Sequence, residues 1–286
     1  MKPTVINLLT LGHRYLARSG VRANAVSSER MLGHLLGHER AALYLDRNRP
    51  VERSVRKAFC ALLKRRAQRY PLQYLLGEAH FMDFRFRVNA HCLIPRPETE
   101  RLVDAVRAIL AERTPDGRTC LLDVGTGSGN VALSLACYLP KAEVWASDIS
   151  EAALDVARAN AGVLGVSGRV QFVLSDLFQQ MPKRTFDGIV SNPPYLSNAD
   201  MAVLDGEVAF EPRQALYGGV KGTELIEHFI ASARAFLRPG GFIAFEIGRG
   251  QAGAVVRLLN QYGYRRIRLM RDYTDIFRVA QAHWMG

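Results

Sequence analysis

Cys120-Leu121-Leu122-Asp123-Val124-Gly125-Thr126-Gly127-Ser128-Gly129 decides how this chain folds. Its first half is a short apolar run, the mark of a buried strand. The run ends on three glycines in alternation, which let the backbone turn sharply and approach a ligand closely. Helical spacing of apolar residues resumes at Val131 and holds to Leu139, so the stretch is a strand, a glycine turn and a helix. Downstream the same alternation repeats. Strands are expected at Ala142 to Ser147, Arg169 to Leu174, Phe186 to Val190 and Gly241 to Ile247. Helices are expected at Glu151 to Leu164, Thr223 to Leu237 and Val255 to Tyr262. Alternating β and α units build a mostly parallel sheet covered by helices on both faces. Two last strands, Tyr264 to Met270 and Ile276 to Ala282, are joined by a short turn and must run antiparallel. The expected fold class is therefore α/β, with a seven-stranded mixed sheet.

Upstream the pattern changes twice. Residues 1–75 read as a small all-α bundle. Val5, Leu8, Leu9, Leu11, Tyr15 and Leu16 recur at helical spacing. Ser27-Ser28 offers an N-cap for a second helix that stops at Gly37, and a third runs from Val51 to Arg69. Residues 76–94 read as a β-hairpin linker, with Phe81, Phe84, Phe86 and Val88 alternating with arginines. Residues 95–286 form the larger domain, whose first helix starts at Thr99 or at the proline turn before it.

Charge follows the same division. Residues 1–75 hold 15 Lys/Arg and 4 Asp/Glu, and the rest holds 23 of each, so the net +11 lies wholly in the first quarter. This points to an acidic partner or a nucleic acid met by the helical domain. Among 286 residues no apolar run reaches the roughly 20 that a membrane span needs. The start, Met1-Lys2-Pro3-Thr4-Val5-Ile6-Asn7, lacks the apolar core of a signal peptide, and a cytoplasmic protein is expected. Cys60, Cys92, Cys120 and Cys137 form no CxxC pair and read as buried free thiols. His34 and His38 lie one helical turn apart without the acidic companion of HExxH, so no metal is expected.

Three loops end neighbouring strands on one side of the sheet, where ligands bind in this architecture. The first is Gly125-Thr126-Gly127-Ser128-Gly129. The second carries Asp148, 19 residues after Gly129, a carboxylate placed to take both hydroxyls of a ribose. The third is Ser175-Asp176-Leu177-Phe178, where Asp176 can accept from an adenine amino group while Leu177 packs on the base; a turn or cap aspartate is the competing reading. Together they mark a nucleoside-cofactor site. Dinucleotide binding is an alternative, but its GxGxxG spacing fits less well than the GxGxG present here. A plain glycine turn leaves Asp148 unexplained.

Asn192-Pro193-Pro194-Tyr195 follows the strand at Phe186 to Val190. Two prolines give no backbone donors and resist helix and strand alike. What remains is a stiff turn offering carbonyl oxygens and the Asn192 amide, with a tyrosine beside them. Such a site suits a planar NH2 group. Read blandly, it is a proline-rich loop that ends a strand.

The GxGxG loop, the acidic end of the second strand and a motif after the fourth resemble the class I S-adenosylmethionine-dependent methyltransferases, whose domain is Rossmann-like. Asn192-Pro193-Pro194-Tyr195 resembles those that methylate planar nitrogen. Pro95-Arg96-Pro97-Glu98-Thr99-Glu100, the stretch Glu207-Val208 to Phe210-Glu211-Pro212, and Ala215-Leu216-Tyr217-Gly218-Gly219 are similar to the glutamine methyltransferases of translation release factors. The resemblance implies transfer of a methyl group from S-adenosyl-L-methionine, leaving S-adenosyl-L-homocysteine. The acceptor would be the N5 side-chain amide nitrogen of the glutamine in the Gly-Gly-Gln motif of class 1 peptide chain release factors. It implies that Gly125, Thr126, Gly127, Ser128, Gly129, Asp148, Asp176, Leu177 and Asn192 hold the cofactor. Asn192, Pro193, Pro194 and Tyr195 would hold and orient the glutamine: Asn192 Oδ1 and the Pro193 carbonyl accept its two amide hydrogens, and Tyr195 packs on its plane. Glu98 and Glu100 are further pocket candidates, each also readable as a helix-start charge, and Glu246 is in the same position. The basic helical domain would dock an acidic face of the release factor, as a monomer, with no membrane and no nucleic acid required.

Two other substrates stay open: glutamine of a ribosomal protein, and an amino group of adenine or guanine in nucleic acid. A non-catalytic nucleoside-binding module is a third reading, which the intact tetrapeptide argues against.

Overall fold

The computed structural model describes residues 2–113, 118–204 and 206–286. By contact they divide into two units, Met1–Glu78 with Asp205–Phe210, and Ala79–Leu204 with Glu211–Gly286.

The smaller unit is helical: α1 (Val5–Arg18), α2 (Asn24–Leu36), α3 (Arg40–Leu45), α4 (Arg53–Ala67) and α5 (Leu72–Leu76). Leu9, Leu16, Met31, Leu32 and Phe59 are fully buried at its centre, each contributing roughly 1.5–3 kcal/mol by leaving water. Gly37 ends α2 in the left-handed conformation, at φ 66°, as expected. Ser27 and Ser28 do not cap α2. They lie inside it, because the helix begins three residues earlier, and both are buried. Ser28 faces α1 at Gly12, where a Cβ would sit 2.1 Å from its hydroxyl oxygen. Ser27 Oγ accepts from Arg66 Nε at 3.2 Å. The helices α3 and α5 are too short to register as a sequence period, so the described residues of the unit form five helices where the spacing gave three. Among the described residues of Asp205–Phe210, Glu207 accepts from Arg66 Nη2 at 2.7 Å, and the Phe210 ring meets Tyr70 edge-on at 5.2 Å.

The larger unit carries most of a two-stranded sheet of β1 (Glu78–Phe81) and β2 (Phe84–Arg87), turned through Met82 at φ 52°. Then follow α6 (Pro97–Arg113), β3 (Thr119–Val124), α7 (Asn130–Tyr138), β4 (Ala142–Asp148), α8 (Glu151–Val163), β5 (Val170–Leu174), β6 (Phe186–Ser191) and α9 (Asn198–Ala202). The chain finishes with α10 (Glu224–Ala233), β7 (Leu237–Glu246), α11 (Ala252–Gln261), β8 (Arg265–Arg271) and β9 (Phe277–His283). Seven strands form one sheet in the order β5-β4-β3-β6-β7-β9-β8. All pairings are parallel except those of β9, which runs antiparallel to β7 and β8. This is the mixed α/β sheet the alternation implies. Phe81 and Phe86 are buried in the core on one face, with α6 and α7. On the other face Phe229, Phe245 and Tyr264 fill the core under α10 and α11. Gly188 makes β6 and β7 fit: a Cβ there would lie 2.3 Å from the Phe242 ring.

The chain runs outward from β3 through β4 to β5, then returns to the other side of β3 at β6. Ligands bind at the carboxyl ends of such a switch point. The register sets those ends abreast, with Val124 opposite both Ser147 and Ser191. The loops carrying Gly125, Asp148 and Asn192 therefore start side by side. The four cysteines are free thiols; Cys92 and Cys120 are buried, Cys137 is half-buried, and Cys60 is exposed, so burial of all four does not hold.

Candidate active site

A cavity of about 190 Å³ opens at this switch point. Gly125, Thr126, Gly127, Asp148, Asp176, Leu177, Asn192, Pro193 and Pro194 line it, and all lie in the larger unit. The glycine loop is built for close approach. Gly125 and Gly127 have φ of 74° and 56°, and a Cβ on either would meet nothing within 4 Å. The space beside them is therefore available to a ligand. Gly129 differs: it is the N-cap of α7 at φ 83°, and a Cβ there would lie 2.8 Å from Leu133 and 3.1 Å from Ala157. Its role is packing, and neither it nor Ser128 lines the cavity.

Asp148 is held from two sides. Gly127 N donates to Oδ2 at 2.8 Å and Ser150 N to Oδ1 at 2.9 Å. Burial pushes its carboxyl above the usual range, against these backbone donors. Asp123, behind the loop, is 1% exposed and accepts from Thr126 Oγ1 at 2.7 Å and Ala132 N at 3.1 Å. Burial raises its pKa to about 7. Asn160 on α8 was not singled out from the sequence. Its Nδ2 donates to the carbonyls of Ser128 at 2.8 Å and Arg87 at 3.0 Å, and its Oδ1 accepts from Arg87 N. It ties the glycine loop to β2. Leu177 takes a left-handed backbone, φ 48°, costly for a branched residue. Ser175 Oγ donates to its carbonyl at 3.0 Å and steadies it. Asp176 Oδ2 accepts from Gln179 Nε2 at 2.9 Å.

The Asn192-Pro193-Pro194-Tyr195 turn is fixed from behind. Gln251 Nε2 donates to the carbonyls of Tyr195 at 2.9 Å and Gly222 at 3.0 Å. Gly218 and Gly222 lie against the same backbone; Cβ atoms there would come within 2.5 Å of Pro194 O and 2.4 Å of Tyr195 O. Asn192 Nδ2 donates to Thr99 Oγ1 at 3.1 Å. Its Oδ1 is buried and has no partner. Thr99 Oγ1 donates to Glu246 Oε2 at 2.5 Å, and Tyr195 OH donates to Glu246 Oε1 at 3.1 Å.

Several candidates sit elsewhere than the sequence implied. Tyr195 does not line the cavity; its ring packs against the core under α10 and α11, with its hydroxyl on Glu246. Neither Glu98 nor Glu100 lines it either, and Glu100 Oε1 accepts from Met82 N at 2.7 Å. Thr99, between them, does line it. Arg96, Pro212 and Gln214 also line the cavity. Glu211 secures that wall by pairing with Arg96 and accepting from Ile94 N at 3.0 Å.

Comparison with known proteins adds the following. Residues 99–208 match the family described as Methyltransferase small domain, and residues 7–77 match the PrmC N-terminal domain. A protein of Chlorobaculum tepidum named release factor glutamine methyltransferase is 40% identical over 282 residues, covering 96% of this chain and 95% of that one. A protein of the same name from Gloeobacter violaceus is 44% identical over 230 residues, covering 79% of each. Among solved structures, a methyltransferase from Pyrococcus furiosus matches with a TM-score of 0.52 at 19% identity, covering 70% of this chain and 88% of that one, a likeness of fold alone.

Proposed function

The chain belongs to the release factor glutamine methyltransferase family, and from that premise we propose that its cavity performs N5 methylation of the Gly-Gly-Gln glutamine of class 1 release factors with S-adenosyl-L-methionine. The observation that carries the reading is Asn192: its Oδ1 is a buried acceptor with no partner, beside a glycine loop open to a ligand. Buried acceptors without partners are costly, so a ligand donor is expected there.

The residues fit the cofactor. Gly125 and Gly127 leave room for it, Asp148 offers its carboxylate to the ribose hydroxyls, and Asp176 with Leu177 flanks the base. When bound, the cofactor supplies an electrophilic sulfonium methyl. The chain's own part is orientation. A glutamine amide nitrogen is a weak nucleophile, since its lone pair is shared with the carbonyl. Asn192 Oδ1 and the Pro193 carbonyl accept its two hydrogens, aim the nitrogen, and stabilise the positive charge that grows on it. The stiff proline turn and the grip of Gln251 keep those acceptors still. No general base is needed before transfer, because the nitrogen becomes far more acidic once methylated. The helical stretch of residues 1–75, with the chain's whole charge excess, docks an acidic face of the release factor, and the enzyme acts as a monomer in the cytoplasm. Among the described residues, no helix is long and apolar enough to cross a membrane.

The test is incubation with labelled S-adenosylmethionine and a release factor, a ribosomal protein or nucleic acid in turn, followed by mass spectrometry of the protein. A single methyl on the Gly-Gly-Gln glutamine is expected. Label confined to nucleic acid, or to a ribosomal protein, would overturn the assignment.

A further inference from the structure

We propose that Thr99 and Glu246 are positioning residues that set the polarity of the Asn192 amide, so that the site presents an acceptor, and never a donor, to the incoming nitrogen. The proposal rests on the reading of Asn192 Oδ1 as the acceptor of the glutamine amide. Glu246 ends β7, is 1% exposed, and makes no ion pair among the described residues. Burial pushes its carboxyl above the usual range while the Thr99 and Tyr195 hydroxyls hold it down; as the carboxylate it only accepts. Thr99 has one hydroxyl proton, and it is committed to Glu246 Oε2 at 2.5 Å. Towards Asn192 the Thr99 oxygen can therefore only accept. The amide must turn its NH2 to that oxygen, as it does at 3.1 Å, and Oδ1 is left over.

The second carboxylate oxygen, Oε1, takes the Tyr195 hydroxyl proton at 3.1 Å, so Glu246 cannot swing away from Thr99 without losing both donors. Direction thus runs one way, from the end of β6 through the first turn of α6 to the end of β7. Rotating the Asn192 amide by half a turn would set its oxygen against the Thr99 oxygen and its NH2 against the substrate's NH2. Both contacts repel. A site of fixed acceptor polarity takes an amide and refuses a carboxylate, so the relay also selects glutamine over glutamate.

The experiment measures kcat and KM on a release factor, with S-adenosylmethionine affinity by calorimetry, for Thr99→Val, Thr99→Ser, Glu246→Gln and Asn192→Ala. Thr99→Val keeps the shape and removes the hydroxyl; kcat should fall roughly 10–100-fold with cofactor affinity unchanged. Thr99→Ser restores the hydroxyl and should recover most of kcat. Glu246→Gln can donate to Thr99 and reverse the chain, so it should lose kcat as Thr99→Val does. Should one of these two fail to fold, the other carries the test. Thr99→Val or Glu246→Gln within twofold of the parent, beside a crippled Asn192→Ala, overturns the relay and leaves the acceptor reading standing. An active Asn192→Ala overturns the acceptor reading itself.

Discussion

In the helical unit, buried charge is met by opposite charge. Arg66, 3% exposed, faces Glu207 at 2.7 Å, and Glu29, also 3% exposed, faces Arg40 at 2.6 Å. Around the cavity of the larger unit, buried charge is met mostly by neutral donors. Asp123, Asp148 and Glu246 accept from backbone amides and hydroxyls, and no cation comes within ion-pair distance of them among the described residues. Glu211, paired with Arg96 in the cavity wall, is the exception. An ion pair spends its charge on its partner and locks a geometry. A carboxylate held by neutral donors has its proton affinity raised by burial and lowered by those donors, and as the carboxylate it dictates which way they point. The first arrangement builds a scaffold, and the second builds an oriented polar site.

The largest effect that would break this contrast is at the end of the oriented chain. Asn192→Ala is expected to lose turnover by roughly a hundredfold or more while S-adenosylmethionine binds normally; steady-state kinetics with calorimetry decides it, and near-normal methylation would refute the site. Next, Glu207→Ala strands the Arg66 guanidinium. The unit should lose about 2 kcal/mol, below the range for a fully buried pair because Glu207 is one-third exposed. Thermal unfolding of the full chain measures this, and a change under about 0.5 kcal/mol would put Arg66 among pairs that do not matter. Asp148→Asn keeps the shape but removes the charge offered to the ribose, and should weaken cofactor affinity about tenfold; unchanged affinity counts against the ribose role.

The smallest effect is a slope. Burial raises the Asp123 pKa to about 7 from its ordinary value of 3.8. Between those values the folded chain keeps a proton that the unfolded chain has lost, so stability falls as pH rises and levels off above about 7. One proton limits the slope to about 1.4 kcal/mol per pH unit. Denaturant melts of the parent and Asp123→Asn, compared from pH 4.5 to 8, test the sign; identical slopes would mean that Asp123 is ionised throughout.

The sheet was legible because strand and helix alternate with short turns, and the glycine turn at the cavity because its glycines and Asp148 lie close in sequence. Asn192 was legible for the same reason: its motif is four consecutive residues. What supports it was not. Thr99 and Glu246 are 147 positions apart and meet only once α6 is laid beside the end of β7. From the sequence Thr99 reads only as a helix start, and Glu246 as a pocket candidate with no partner assigned. The same ambiguity misdirected Ser27, a good cap on paper whose hydroxyl instead accepts from Arg66, 39 positions away. It also left Glu100 readable as a pocket residue or a helix-start charge, when its carboxylate holds the Met82 amide. Short-range chemistry shows in the sequence, whereas a hydroxyl's true partner is chosen by tertiary contact.

The helical unit is not a continuous piece of chain, since Asp205–Phe210 belongs to it by contact. A gene cut near residue 78 therefore does not yield two intact halves. The amino-terminal fragment would leave with an arginine whose counter-ion is encoded 141 positions downstream. The remaining fragment would carry Phe210 without the Tyr70 ring it meets edge-on. Swapping helical units between relatives would succeed only if this short insert travels with them.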